Sequence, residues 1–188
     1  KLLRLGNSIF ALVFPGYDGT LFQSDDLGST WQPVSIGTAF GIWDVDCDQD
    51  NLYVACTVGV MVSNDLGNTF SWDFYWGWDA TESVCFNNGY GWITIAKWGS
   101  LSGPNRKTPD GGWSLARGDI PWADMSSNFI VADPQNPGDI AYLNCGYDDD
   151  KFYRTTNAGI NWQAITKMVE DVVVIDGKSV VLSSGFHS

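Results

Sequence analysis

The sequence SDDLGSTW at residues 24–31 recurs almost unchanged as SNDLGNTF at residues 63–70. A shortened copy, TPDGGW, occupies residues 108–113, and a diverged copy, TTNAGINW, occupies residues 155–162. The copies begin at residues 24, 63, 108 and 155, so they lie 39, 45 and 47 residues apart. A period of this size is typical of a stacked or radial array of one supersecondary unit.

Each copy has the composition of a tight turn. Short apolar runs, such as Val60–Val62 before the second copy, predict strands on either side. The Ser or Thr hydroxyl and the Asp carboxylate can accept bonds from backbone N–H groups of the turn. The Gly suits a positive φ, and the closing Trp or Phe offers an apolar plate to a neighbouring unit. The residues given these structural roles are Ser24, Asp26, Gly28, Thr30, Trp31, Ser63, Asp65, Gly67, Thr69, Phe70, Thr108, Asp110, Gly112, Trp113, Thr155, Asn157, Gly159 and Trp162.

These repeats resemble the Asp-box, or BNR, repeat of sialidases, of some β-glucanases with paired propellers, of sortilin-type receptors and of photosystem assembly factors. In that family the box joins the third and fourth strands of a propeller blade. The sequence DPQNP at residues 133–137 also resembles a common turn between the first two strands of such blades. The resemblance implies an all-β fold, a β-propeller segment of about four to five four-stranded blades. It implies no particular activity, because one fold hosts many functions.

The blades are predicted at about residues 1–36, 37–80, 81–125 and 126–168, with a partial blade at residues 169–188. Residues 98–107 are interpreted as an insertion that delays the third box. Three arrangements fit this layout: a segment of a longer polypeptide, a ring completed by a partner chain, or a small five-bladed ring with an imperfect last blade.

Composition excludes several classes of function. The net charge of −12 argues against binding of nucleic acid or of an anionic membrane surface, and favours cationic or neutral partners. No apolar stretch reaches the roughly 18 residues of a membrane span. No phosphate-binding loop or dinucleotide fingerprint is present, so we expect no cofactor and no bound metal. The four cysteines, Cys47, Cys56, Cys85 and Cys145, have no zinc-site spacing; we favour buried free thiols, with a Cys47–Cys56 bridge as the alternative.

A complete catalytic site of the sialidase type is not expected. The resemblance implies a triad of arginines, a Tyr/Glu nucleophile pair and an acidic proton shuttle. The chain has four arginines (Arg4, Arg106, Arg117 and Arg154), two glutamates (Glu82 and Glu170), and no Arg-Ile-Pro start motif. His187 is the sole histidine, so no Ser–His–Asp arrangement is predicted.

Acidic residues offer weaker candidates. Asp44, Asp46 and Asp48 alternate along a strand and would share one face. That face is either half of a glycosidase cleft, a loose calcium site, or a solvated strand surface, which we favour. Residues 148–150, all Asp, predict a solvated hairpin loop. The tripeptide Arg-Gly-Asp at residues 117–119 has the integrin-binding sequence, but a turn before Ile120 is the favoured interpretation.

The segment WDFYWGWD at residues 72–79 is the most suggestive candidate for function. It is predicted to lie in a loop on a propeller face, between the second and third blades. Aromatic rings can stack on sugar rings, and an exposed cluster of this kind usually marks an interface; the alternative is that the rings wedge between blades. The predicted ligand-binding residues are Trp72, Tyr75, Trp76, Trp78 and Asp79, with Trp92, Trp98 and Trp122 extending the surface.

The leading functional hypothesis is a non-catalytic module, extracellular, secreted or on a virion surface, that binds a glycan or a protein partner through this aromatic face. The first alternative is part of an Asp-box glycoside hydrolase that contributes one of its two carboxylates. The second is a structural module of a larger assembly, such as a phage tail or fibre. Exposure of the aromatic rings distinguishes the first hypothesis from the last.

Overall fold

The chain forms a succession of antiparallel β-sheets. In the computed structural model the described residues are 1–14, 18–37, 41–77, 80–96, 102–121, 127–145, 151–167, 171–176 and 179–183, and they contain no helix. Sheet 1 consists of β1 (Leu2–Leu5), β2 (Ser8–Val13), β3 (Thr20–Ser24) and β4 (Gln32–Pro33). Sheet 2 consists of β5 (Ile42–Asp48), β6 (Asn51–Cys56), β7 (Gly59–Ser63) and β8 (Ser71–Tyr75).

The later sheets repeat this order. Sheet 3 consists of β9 (Thr81–Asn87), β10 (Tyr90–Ile95), β11 (Gly103–Lys107) and β12 (Trp113–Leu115). Sheet 4 consists of β13 (Ser127–Ala132), β14 (Ala141–Cys145), β15 (Lys151–Thr155) and β16 (Gln163–Lys167). A two-stranded sheet follows, with β17 (Asp171–Asp176) and β18 (Ser179–Ser183). Within each sheet, each strand pairs with the next along the chain, so hairpins make every sheet.

One element differs from the sequence prediction. Residues 98–107 are not simply an insertion, because Gly103–Lys107 forms the third strand of sheet 3 and pairs with β10 from Ile95 to Gly91. The sequence GPNRK has no β-branched or aromatic residue, so pattern alone gives no strand there. These residues form a strand because they pair with β10. Residues 97–101 lie outside the described part.

The first strands of successive sheets contact one another, β1 with β5, β5 with β9, β9 with β13 and β13 with β17, and we call them the inner strands. The core lies between neighbouring sheets rather than in one central mass. Val45 and Val54 pack between sheets 1 and 2, Ile93 between sheets 2 and 3, and Leu143 between sheets 3 and 4. Each such fully buried side chain stabilises the fold by about 1.5–3 kcal/mol.

The three alternating aspartates bind the next inner strand and the turn that follows it. β9 is the edge strand of sheet 3, so its outward N–H groups have no partner within the sheet. Asp44 Oδ2 accepts from the backbone N–H of Val84 at 3.0 Å, and Asp46 Oδ2 accepts from that of Phe86 at 2.7 Å. Asp48 accepts from the backbone N–H of Gly89 at 2.6 Å. The prediction of a solvated face, and that of an open acidic cleft, are therefore both wrong.

The cysteines form no disulfide, so the alternative Cys47–Cys56 bridge is wrong; the favoured buried free thiols are found at Cys56 and Cys145, whereas Cys47 and Cys85 are only partly buried. Cys85 continues the pattern of the aspartates, because its Sγ accepts from the backbone N–H of Ala132 on β13 at 3.2 Å. Among the described residues, no group of three His, Cys, Asp or Glu side chains could hold a metal ion. Within that same part of the chain, no helix has the length and apolar character needed to cross a membrane.

Candidate functional site

The four sequence repeats form hairpins between the third and fourth strands of sheets 1 to 4, and we number them hairpins 1 to 4. In hairpin 1 the hydroxyl of Ser24 donates to Asp26 Oδ1 and accepts from the backbone N–H of Gly28, both at 2.8 Å. Asp26 also accepts from the backbone N–H of Thr30 at 2.8 Å and from its hydroxyl at 2.6 Å. The polar side chains therefore bind the turn that contains them.

Hairpin 2 repeats this network with the equivalent residues. Ser63 bonds to Asp65 and Gly67, and Asp65 bonds to the backbone and hydroxyl of Thr69, at distances of 2.5–2.8 Å. In both hairpins the hydrogen bond from the threonine hydroxyl is the main cause that lowers the pKa of the Asp carboxyl to about 2. These two carboxylates stay ionised, so they are unsuited to act as general acids near neutral pH.

Hairpins 3 and 4 depart from the pattern. In hairpin 3 Thr108 donates to Asp110, and the positive φ of 91° belongs to Gly111 rather than to the predicted Gly112. Hairpin 3 has two residues fewer than hairpins 1 and 2, so the left-handed residue comes directly after the Asp instead of two residues after it. In hairpin 4 the Oδ1 of Asn157 replaces the carboxylate and accepts from the Thr155 hydroxyl at 3.1 Å and from the backbone N–H of Asn161 at 3.0 Å. The Thr155 hydroxyl also accepts from the backbone N–H of Gly159 at 3.0 Å.

The closing aromatic residues reach back to the preceding sheet. Trp162 is 6% exposed and donates its Nε1–H at 2.8 Å to the carbonyl of Ala116, the residue that follows β12 of sheet 3. Trp113 packs against the cluster between sheets 2 and 3, and Phe70 against that between sheets 1 and 2. Trp31 differs from the prediction: it is 37% exposed, and its Nε1–H donates to the carbonyl of Gly28 within its own hairpin at 3.1 Å.

The aromatic segment at residues 72–79 does not lie wholly in a loop, because Ser71–Tyr75 is the outermost strand of sheet 2. A bulge at Asp73 places Trp72 and Tyr75 on one side of that strand. Their rings meet edge to face, with centroids 5.1 Å apart, and they are 38% and 63% exposed. Phe74 and Trp76 instead pack against the cluster between sheets 2 and 3. Trp78 and Asp79 lie outside the described residues.

The proposed extension of that surface is not supported at Trp92. This side chain is fully buried, and its Nε1–H donates to the carbonyl of Pro137 at 2.7 Å. An indole between sheets 3 and 4 cannot contact a ligand at the outer strand of sheet 2. Trp98 and Trp122 lie outside the described part of the chain.

The arginines have local structural contacts. Arg106 Nε donates to the carbonyl of Gly138 at 2.6 Å, and its guanidinium lies 5.3 Å from the Tyr90 ring centroid. Arg4 Nε donates to the carbonyl of Gly6 at 3.1 Å, and the Arg154 guanidinium lies 5.8 Å from the Tyr142 ring centroid. These contacts fit packing roles rather than the carboxylate-binding triad of a sialidase.

The Arg-Gly-Asp tripeptide is part of a turn between sheets 3 and 4. Asp119 Oδ1 accepts from the backbone N–H of Trp162 at 2.7 Å. A Cβ added to Gly118 would lie 2.5 Å from the carbonyl oxygen of Ile160. The turn interpretation therefore holds for these residues. Glu170, His187 and the three aspartates at residues 148–150 lie outside the described part.

Glu82, at the start of β9, is a residue to which sequence reasoning assigned no role. Its Oε2 is fully buried without a hydrogen-bond partner. Burial raises the pKa of its carboxyl to about 7. A strand-embedded Glu has no motif around it, so no sequence signal marks this residue.

No protein-family model matches the chain, and no curated protein sequence matches it. Solved structures do resemble it. An ancestral GH74 enzyme is 17% identical, with a TM-score of 0.67 over 88% of this chain and 24% of that one. A nidogen/laminin complex gives 14% identity and a TM-score of 0.63 over 88% and 64% of the two chains. YCF48 bound to D1 peptide is 23% identical, with a TM-score of 0.55 over 76% of this chain and 47% of that one.

This likeness establishes the fold, which is a β-propeller, here represented by four four-stranded blades and a two-stranded sheet. The chain spans less than two thirds of the length of each of these proteins. At such low sequence identity the resemblance shows the fold and says nothing about activity.

Proposed function

We propose that this propeller segment is a non-catalytic binding module that contacts its partner through Trp72 and Tyr75. The main support for this proposal is that these two neighbouring rings are exposed on an edge strand, where a partner could bury their apolar surface. Tyr and Trp are enriched among residues that dominate binding energy at interfaces. Trp76, Trp78 and Asp79 stay in the proposal as flanking residues of the same segment.

A protein partner is favoured over a glycan. The Trp72 and Tyr75 rings are inclined at 66°, so they do not form one flat platform for a sugar ring. The outer strand β8 also leaves backbone groups unpaired along its free edge, which an extended peptide can bond. Among the similar structures, YCF48 is bound to the D1 peptide, and another is a complex of nidogen with laminin. An extracellular, secreted or virion-surface location remains part of this proposal.

We also infer that hairpins 1 to 4 are Asp-boxes and that their role is structural. The Ser24–Asp26–Thr30 network and its equivalent in hairpin 2 support this inference, because every acceptor serves the turn itself. The exposed Asp side chains of these hairpins are therefore excluded from the proposed binding surface.

The test compares two variants of the purified chain. The double variant Trp72→Ala/Tyr75→Ala removes the exposed pair, and Trp31→Ala is the control, because it removes another partly exposed indole from a different sheet. Both are screened against a displayed peptide library and a glycan array, with near-UV circular dichroism as the check on folding. We expect peptide hits whose affinity falls at least about tenfold in the double variant and is unchanged in the control.

The other outcomes are informative. If the chain binds glycans and the double variant does not, the proposed site is correct but its partner is a glycan rather than a protein. Hits unaffected by the double substitution would remove the site. An absence of binding on both arrays would favour a structural module within a larger assembly, such as a phage tail or fibre.

Glycoside hydrolysis is the second candidate, and Glu82 is the observation that favours it. A carboxyl with a pKa of about 7 has the protonation state of a general acid at neutral pH. A glycosidase also needs a second carboxyl about 5–10 Å away, and no other carboxylate is among the causes of this shift. Product analysis after long incubation with xyloglucan, compared between wild type and Glu82→Gln, tests this candidate; the substrate is chosen because a GH74 xyloglucanase from Xanthomonas campestris has a similar fold.

A further inference from the structure

Sheet 1 has two faces, and only one of them packs against sheet 2. The side chains of Leu3, Phe10, Leu12 and Leu21 belong to the cluster between sheets 1 and 2. Side chains alternate along a strand, so the residues between these lie on the opposite side of the sheet, which we call the outward face. From the strand register, the outward face consists of Leu2, Arg4, Ile9, Ala11, Val13, Thr20, Phe22, Ser24 and Pro33.

An apolar row crosses the outward face from the first strand to the last. Leu2 is paired with Ala11, Ala11 with Phe22, and Phe22 with Pro33. Directly opposite residues on one face have Cβ atoms about 4.5–5.5 Å apart, so the four side chains form one stripe. Leu2 is 71% exposed, Val13 beside the row is 47% exposed, and Pro33 is also exposed.

The second strand shows which positions of the other sheets are equivalent to this face. Ile9 lies opposite Ser24, the first residue of the hairpin 1 repeat, and in the same way Leu52 lies opposite Ser63 and Ala141 opposite Thr155. The positions equivalent to Ile9, Ala11 and Val13 are therefore Leu52, Val54 and Cys56 in sheet 2, and Ala141, Leu143 and Cys145 in sheet 4.

These equivalent side chains are buried in the interface with the preceding sheet. All six are at most 1% exposed, and they belong to the clusters between sheets 1 and 2 and between sheets 3 and 4. In both interfaces the surface that covers them is the apolar face of another antiparallel sheet. The outward face of sheet 1 continues this interface pattern, so the partner that fits it is also a β-sheet with an apolar face.

The outward face is itself a surface of that kind. Arg4 is the one charged residue among its nine members, and Arg4 Nε donates to the carbonyl of Gly6 within its own sheet at 3.1 Å. Two copies of the chain can therefore bring these faces together with few like charges in contact, although each copy carries a net charge of −12. Pairing through the outer edge is disfavoured, because β4 has two residues and Pro33 has no N–H to donate.

We propose that a second copy of this chain covers the outward face, so that sheet 1 packs against sheet 1 in a two-fold symmetric dimer. The same surface is used on both copies, and contacts of this type close on themselves at two subunits. Leu2, Val13, Phe22 and Pro33 are the residues that the second copy buries. Trp72 and Tyr75 lie on the outermost strand of sheet 2, so this proposal does not depend on the binding surface proposed for them.

The charge of the chain predicts how such a dimer responds to salt. Two copies of net charge −12 repel each other, while the contact itself is apolar. Screening shortens the range of that repulsion from about 30 Å at 0.01 M salt to about 8 Å at 0.15 M. We therefore expect dimerisation to strengthen as salt is added, whereas a dimer held by ion pairs would weaken.

Sedimentation equilibrium of the purified chain, over a wide range of concentration and at low and high salt, measures the dimer Kd. Leu2→Asp and Val13→Asp each place a charge at an exposed position of the outward face, and Leu2→Met keeps that face apolar. The matched control is Ile160→Asp, which makes the same kind of change in hairpin 4 at a side chain that is 68% exposed. Near-UV circular dichroism and urea unfolding check that each variant is folded.

We expect a reversible equilibrium between monomer and dimer for the wild type, Leu2→Met and Ile160→Asp, and a dimer at least about tenfold weaker in each Asp variant of the outward face. Hydrogen exchange at low and high concentration should show added protection in sheet 1 alone. A wild type that stays monomeric, or unchanged dimerisation in folded Leu2→Asp and Val13→Asp variants, would overturn the proposal. So would a dimer that weakens with salt, or assemblies that grow beyond two subunits.

Discussion

The ammonium group of Lys107 in β11 donates a hydrogen bond to the carboxylate of Asp73 in β8, and so links the third strand of sheet 3 to the outermost strand of sheet 2. Both side chains are only 13% exposed. The other carboxylate oxygen of Asp73 accepts from Trp113 Nε1 at 3.1 Å. Bulging of Asp73 from its strand therefore has two consequences, since it joins two blades and leaves Trp72 and Tyr75 facing outward.

Breaking this ion pair is expected to destabilise the fold. Asp73→Asn keeps an acceptor for Trp113 but leaves the Lys107 ammonium without its counter-ion in a sheltered position. We expect a loss of about 2 kcal/mol in the free energy of unfolding, measured by urea denaturation. The double variant Asp73→Asn/Lys107→Met should recover much of that loss, because no unpaired charge remains. A double variant no more stable than the single one would contradict this account.

The closing aromatic residues should contribute different amounts to the free energy of unfolding, because some are buried against the preceding sheet and Trp31 is not. Trp162→Ala removes a buried indole that meets Trp92 edge to face at 6.0 Å, and should cost about 3–5 kcal/mol. Trp31→Ala removes the equivalent residue of hairpin 1, which is 37% exposed and bonds within its own hairpin, and should cost less than about 1 kcal/mol. Thermal and urea unfolding of both variants measures the difference, and equal losses would refute the proposed contact with the preceding sheet.

The hairpin carboxylates should give acid sensitivity. The folded pKa of Asp26 and Asp65 is about 2, below the unfolded value of 3.8, so their contribution is present above about pH 4 and is lost as pH falls towards 2. Asp26→Asn and Asp65→Asn should lower the melting temperature at pH 6 and leave it close to wild type at pH 2. Melting curves across this range are the measurement; a constant difference at every pH would contradict it.

Hairpin 4 offers the reverse substitution. Asn157 already occupies the acceptor position without a charge. Asn157→Asp should add a contribution of the same sign, visible above about pH 4 and absent at pH 2. The same melting curves, compared with wild type, detect it. A variant less stable than wild type at pH 6 would show that the amide makes a contact a carboxylate cannot replace.

Two glycines with similar φ values should respond differently to an added methyl group. A Cβ at Gly159 would lie 2.5 Å from the carbonyl oxygen of Ala116, whereas a Cβ at Gly6 would meet nothing within 4 Å. Gly6→Ala is expected to cost about 1 kcal/mol, from its φ of 60° alone. Gly159→Ala should cost clearly more, because backbone of sheet 3 must move. Urea unfolding tests the order, and the opposite order would exclude close sheet packing at hairpin 4.

Prediction from sequence succeeded where local signals repeat. The apolar run Val60–Val62 lies within the strand Gly59–Ser63, as predicted, because the run ends at a turn with recognisable chemistry. It failed at Gly103–Lys107, where pairing partners rather than residue types make the strand. For the candidate site, the aromatic segment was found from its composition, but which of its rings are exposed depends on a bulge that no residue pattern announces.

The sequence by itself determined the repeat, the hairpins and the all-β architecture, because those features arise from contacts between residues close along the chain. Only the tertiary structure decided the roles of Asp44, Asp46 and Asp48, which accept from backbone N–H groups of β9 and of the turn after it, about 40 residues further on. It alone decided that Trp162 is buried and Trp31 is 37% exposed, and that Glu82 Oε2 is buried without a hydrogen-bond partner. These properties depend on which sheet packs against which, and on the burial that packing creates, so residue type alone does not carry them.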